Sequence, residues 1–227
     1  MVKRETTLKL LVIDASTPTV FAAIMCDGKA LALAESEAES LEGIFDCVAQ
    51  VCRDSGIAIN DCDGFAYCEG PGSILGLRLA AMAVSTWLAM PENKGKPVYT
   101  YKSLELVVAS KLAQGQQIPF TVTADYRDGI VIEQRVQGNV SADTCPMQLP
   151  DPVLLEVDKL ADYKGSVWRI PQRKQWKKAQ PVGEVIAPYP FAEIPALAEQ
   201  ILRPVKKPKV WQISETEYAK WKGERHR

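Results

Sequence analysis

The sequence predicts an α/β fold of two lobes, each a mixed sheet crossed by helices, on three observations. The first 114 residues read as three strands, a helix, a strand, a helix, a strand and a helix. A linker-like QGQQIP at 114–119 then precedes a second strand-led series. The 227 residues suffice for one large domain or two modest ones, with no need of metal or disulfide support. The expected division is a first lobe over 1–114, a smaller second lobe over 115–207, and a terminal segment, 208–227, that returns to the first lobe and frays at its end.

LKLLVI (8–13) is an apolar run of strand length closed by Asp14. Runs 20–25 and 29–34 flank Asp27-Gly28, a dipeptide that favours a tight hairpin because both residues tolerate positive φ. From Ala38 to Arg53 the period changes. Leu41, Ile44, Phe45, Val48, Val51 and Cys52 fall on one helical stripe, and Gly56 supplies the stop. GFAYC (64–68) reads as a buried strand, followed by a glycine-rich turn and a helix over 73–90 that ends before Pro91. A short strand at 97–100 and a helix at 103–114 complete the lobe. In the second lobe, strands are expected at 120–124, 130–136 and 167–170, a turn at Gly138-Asn139, a helix at 194–202 and a strand at 210–213. Frequent prolines between 143 and 190 blur the periodicity, and no internal repeat is visible.

Charge points nowhere: 27 Lys and Arg oppose 28 Asp and Glu. The apolar run 74–90 is broken by Gly76, Arg78 and Ser85, and MVKRETT carries no signal-peptide core, so a cytoplasmic chain with no membrane partner is expected. The six cysteines form no CxxC pair and read as reduced, buried small hydrophobes. The single histidine, His226, stands next to the end. That disfavours a histidine base, a Ser-His triad or a His-rich metal site, and no metal ligand set is expected.

Two β-led lobes, the first opening on a strand that ends in Asp-x-Ser, look like the actin, Hsp70 and sugar-kinase (ASKHA) superfamily. Within it, LLVIDAST (10–17) with YCEGPGSILGLRLA (67–80) resembles the TsaB family, also called YeaZ, whose signature pairs IDTS with GPGSFTGLR. TADYRDGIV (123–131) is similar to the family's DARxGEVY stretch, and PKVWQISETEYAKWK (208–222) to its closing PVYLR…KW segment. The chain departs from the pattern at Ala15, at Ile74-Leu75 in place of Phe-Thr, at Glu39-Ser40 in place of His-Ser, and near Ser214 in place of the closing arginine. The resemblance implies a noncatalytic subunit that binds TsaD, the metal-bearing paralogue that transfers a threonylcarbamoyl group to the tRNA adenosine beside the anticodon. TsaE, an ATPase, joins them, and tRNA is met indirectly. No cofactor is required, with ATP or ADP at the partner interface as a candidate.

Five sets of residues are candidates. CEGPGSILGLRLA (68–80) could cradle a phosphate through Gly72 and Ser73, or Ser73 could cap a helix while the glycines let the turn approach the sheet. Asp14, Ser16 and Thr17 stand where kinases of the superfamily hold metal and phosphate, but no glycine lets a nucleotide approach that turn. Asp125 is the matching carboxylate of the second lobe, or a turn stabiliser paired with Arg127. A helix apolar around its whole circumference, as 74–90 is, needs cover on every side, from its own fold or from a second protein. The resemblance favours the second protein and puts Leu41, Ile44, Phe45, Val48, Ile74, Leu77, Arg78 and Ala81 on the TsaD face, which would also form a homodimer when TsaD is absent. Finally, Arg169, Arg173 and Lys174, among aromatics in WRIPQRKQWKK, could contact RNA or be solvated surface. The rival functions are a small ATPase or kinase and a tRNA-binding module.

Overall fold

The computed structural model describes residues 8–127, 129–138, 140, 145–171 and 182–213. The first sheet opens with β1 (Lys9–Asp14), β2 (Val20–Cys26) and β3 (Lys29–Ser36), which pair antiparallel in sequence. Asp27 and Gly28, at φ 47° and 70°, make the hairpin turn with both residues in the left-handed region. Next come α1 (Ser40–Ser55), closed by Gly56 at φ 69°, β4 (Gly64–Gly70), α2 (Ile74–Ala89), β5 (Val98–Lys102) and α3 (Ser103–Ala113). β4 lies parallel to β1, and β5 parallel to β4, so α2 is a crossover helix.

The second sheet repeats that plan. β6 (Phe120–Arg127), β7 (Ile130–Val136) and β8 (Val153–Glu156) pair antiparallel, while β9 (Ser166–Arg169) and β10 (Glu184–Val185) run parallel beside β6. The strand orders are β11-β5-β4-β1-β2-β3 and β10-β9-β6-β7-β8. Without the added edge strand β11 (Arg203–Val205), the two are the same arrangement, third-second-first-fourth-fifth. The sequence shows no repeat because alternation and hydrogen-bond topology carry the duplication, and many residue choices satisfy both.

β11 pairs antiparallel with β5, so the chain has rejoined the first sheet by Arg203, ahead of residue 208. The expected strand at 210–213 is instead an irregular segment that hydrogen-bonds through Trp211 N–H to the Glu69 carbonyl at 2.9 Å. β8, β10 and β11 were not expected. Each is short, and β11 carries Pro204 at a sheet edge, where the missing N–H costs nothing.

One face of the first sheet carries α1 and α2 over Leu11, Ile13, Val20, Ala22, Phe65 and Tyr67. The other face carries α3 and α4 (Ile194–Ile201) over Leu10, Val12, Ala23 and Ala66. α3 also packs on β6 and β7, so it lies between the sheets, and every residue from Ser103 to Ser110 is buried. No helix among the described residues is long and apolar enough to cross a membrane.

Candidate functional site

The glycine turn after β4 lies directly on the β1–β2 turn. A Cβ on Gly72 would collide with the Ser16 carbonyl oxygen, and one on Gly76 with that of Ala15. Ser73 N–H donates to the Ser16 carbonyl at 2.8 Å, while Ser73 Oγ accepts from Gly76 N–H at 3.3 Å and caps α2. Gly72 and Ser73 are therefore occupied in joining two turns of the first lobe. This is the close approach that the packing reading describes, with Ser73 as the cap and the glycines set against the neighbouring turn.

Asp14 is fully buried at the end of β1. Its Oδ1 accepts from Ser16 N–H at 2.7 Å, and its Oδ2 accepts from the hydroxyls of Tyr101 at 2.6 Å and Tyr189 at 3.2 Å. Burial pushes the Asp14 carboxyl up from its ordinary value, against the pull of those hydrogen bonds. Ser16 is buried beside it. Thr17 Oγ1 donates to the Thr19 carbonyl at 2.7 Å, which closes the turn. The carboxylate thus latches Tyr189, near the start of the return segment, onto the first lobe. Sequence reasoning missed both tyrosines, since nothing local links positions 14, 101 and 189. Among the described residues, no group of three or more His, Cys, Asp and Glu side chains is placed to hold a metal.

Between the lobes lies a cleft of about 280 Å³ lined by Pro71, Gly72, Arg78, Asp125, Ile132 and Trp211, with further apolar walls. Its third wall is the return segment. Tyr67 OH donates to the Lys209 carbonyl at 2.8 Å and accepts from Lys209 N–H at 2.7 Å, and Lys102 Nζ sits 5.2 Å from the centre of the Trp211 ring.

The outer surface of the α1–α2 layer is apolar. Leu41 and Phe45 of α1 project from it, with Ile74, Leu75 and Met82 of α2, the last three each more than 60% exposed. Arg78 is exposed on the same side of α2. Of the predicted partner face, Leu41, Phe45, Ile74 and Arg78 are outward. Ile44, Val48, Leu77 and Ala81 are not: they are buried in the lobe's own core. Gly43 explains the turn of α1, since its missing side chain lets the helix approach Val20, and that contact sets Ile44, Cys47, Val48 and Val51 inward. Gly76 does the same for α2 against Ala15. Leu75 and Met82, absent from the predicted face, belong to it. The glycine on the inward side of each helix was the signal that could have found them.

Arg169 lies half-buried in β9, whose main chain pairs with β6. Arg173 and Lys174 lie outside the described residues.

Two lobes of like topology, with paired antiparallel-then-parallel sheets and a cleft between them, define a protein of the actin, Hsp70 and sugar-kinase (ASKHA) class. Residues 34–193 match the sequence model of TsaD, tRNA N6-adenosine threonylcarbamoyltransferase, and the chain belongs to that family. The fold is shared with YeaZ from Pseudomonas aeruginosa, at 19% identity and a TM-score of 0.61 over 84% of this chain and 91% of that one. A second structure, an uncharacterized protein described as similar to peptidase YeaZ from the same organism, gives 17% identity and a TM-score of 0.60 over 84% and 90%. No curated protein matches the sequence.

Proposed function

We propose that this chain is a noncatalytic TsaB-type subunit that pairs with TsaD through the outer faces of α1 and α2 and holds it active in tRNA threonylcarbamoylation. The observation that carries the reading is the exposed apolar group Leu41, Phe45, Ile74, Leu75 and Met82 on two neighbouring helices. Burying such side chains is worth about 1.5–3 kcal/mol each, and a pair of helices from a partner would complete a four-helix layer. A stable contact of this kind buries on the order of 1,600 Å² in total.

The state of the 14–17 turn supports the noncatalytic part. In a kinase of this class that turn would face phosphate, whereas here Gly72, Ser73 and Gly76 pack on it and Asp14 is sealed among tyrosines. A small ATPase is thereby disfavoured, and the chain needs no cofactor of its own. TsaE would join the pair and tRNA would be held mainly by TsaD. A second copy of the chain would cover the same face when TsaD is absent.

The test is affinity for purified TsaD with Leu75→Glu and Met82→Glu. Each variant should keep the parent's melting temperature and bind at least a hundredfold more weakly, a loss of about 2.7 kcal/mol that fits a central interface residue. Parent-like binding by both places the contact elsewhere.

A further inference from the structure

The exposed stripe of α2 runs into the mouth of the interlobe cleft. Ile74 and Arg78, one helical turn apart, belong to both: they are exposed on the outer side of α2 and they line the cavity. Whatever covers α1 and α2 therefore also lies over the opening. Leu77, Ile132 and Trp211 give the cavity an apolar and aromatic wall, beside the polar side chains of Asp125 and Gln212. At the rim, Arg78 makes no ion pair among the described residues, although it stands beside a surface that a partner would desolvate. Asp125, on the second-lobe wall, is already engaged by an interaction within the chain.

We propose that this cleft is a receptor for an acidic residue and an adjoining apolar residue carried by the protein that covers α1 and α2. The apolar side chain enters between Ile132 and Trp211, and the carboxylate pairs with Arg78. This rests on the α1–α2 pairing proposed above. A cavity of about 280 Å³ has room for an apolar side chain. Charge fixes the orientation. Arg78 attracts a carboxylate to the rim, and a guanidinium offers the paired donors that a carboxylate accepts. An unpaired arginine at an interface is costly to bury, so a partner without the acid would bind less well.

The experiment measures affinity for TsaD, at low and at high salt, for the full chain and for Arg78→Glu, Tyr126→Ala and Leu75→Glu. Arg78 and Tyr126 are both exposed at the cleft, so neither change should lower the melting temperature. Arg78→Glu is expected to weaken binding about thirtyfold and to flatten its salt dependence, and Tyr126→Ala about fivefold. Arg78→Lys should recover part of the loss. If Leu75→Glu abolishes pairing while the two cleft variants bind like the parent, the cleft is empty in the complex. The receptor proposal then falls and the pairing surface stands. If Leu75→Glu binds like the parent, both fall. A third arm titrates ADP into the isolated chain: saturable binding that disappears in Arg78→Glu makes the cleft a nucleotide site and overturns the proposal.

Discussion

The two lobes share one strand plan and use it differently. In the first, the crossover from β3 to β4 carries the sixteen-residue α1, and that from β4 to β5 the sixteen-residue α2. In the second, the crossover from β8 to β9 holds only a single 3₁₀ turn, Val157–Leu160, packed over Val131. The leading carboxylates differ as well: Asp14 is sealed inside, and Asp125 lines a cleft. A shared topology thus fixes where crossovers and strand ends fall, while the residues spent on them decide which lobe gains an outward apolar face. In this chain it is the first.

The helices sharpen the contrast. α3 is buried on every side because two sheets enclose it, whereas α2 has a sheet under one side only. Neighbouring positions on α2 should therefore behave as opposites, and the largest effect is expected at Leu77. It is 2% exposed, and Leu77→Glu would bury an unpaired charge, costing about 4 kcal/mol or more, a large part of a domain's stability. Thermal melts should show this variant largely unfolded. Leu75→Glu, two residues away, should melt within about 0.5 kcal/mol of the parent and lose only TsaD. Leu154→Glu, on the exposed edge strand β8 of the second lobe, should change neither property; weakened pairing there would break the contrast between the lobes.

Gly76→Ala tests whether the glycine turn is packing. Alanine should improve an α-helix by about 1 kcal/mol, yet the new Cβ would strike the Ala15 carbonyl, which cannot retreat without disturbing Asp14. Overpacking against backbone costs about 1–3 kcal/mol, so net destabilisation of about 2 kcal/mol is expected in chemical denaturation. A stabilised variant would show that the turn is loose and could open to an anion.

Much of this was legible in the sequence and the rest was not, for identifiable reasons. Asp27-Gly28, Gly56 and the change of period at residue 38 are local signals, and each fell where expected. α2 was found as a helix but not oriented, because its apolar residues surround it and only Gly76 marks the inward side. On α1, an apolar arc wide enough to serve both the sheet and the outside was read as one stripe, so Ile44 and Val48 were assigned to a partner although they face β2 and β3. The tyrosine latch joins Asp14 to residues 87 and 175 positions away, β11 pairs with a strand just as distant, and sequence periodicity carries no information on such pairings.

The latch itself gives a small effect and the most specific one. Tyr189→Phe removes one donor to Asp14 and should cost about 1 kcal/mol, with TsaD affinity unchanged. Its pH dependence has a definite sign. Because burial raises the Asp14 pKa above its unfolded value of 3.8, the folded state holds the proton more tightly, so this group's contribution is fully present below that value and is lost as pH rises through the raised pKa. Glu69 and Glu105 are raised by burial too and tilt the parent's curve the same way. The informative quantity is therefore the difference in unfolding free energy between the parent and Asp14→Asn, followed from pH 4 upward. Asparagine has no proton to lose, so the parent should lose ground to the variant as pH rises, and the difference should level off once Asp14 is ionised. A difference that stays constant with pH would mean that Asp14 titrates at its unfolded value, which a carboxyl sealed behind Tyr101 and Tyr189 does not do.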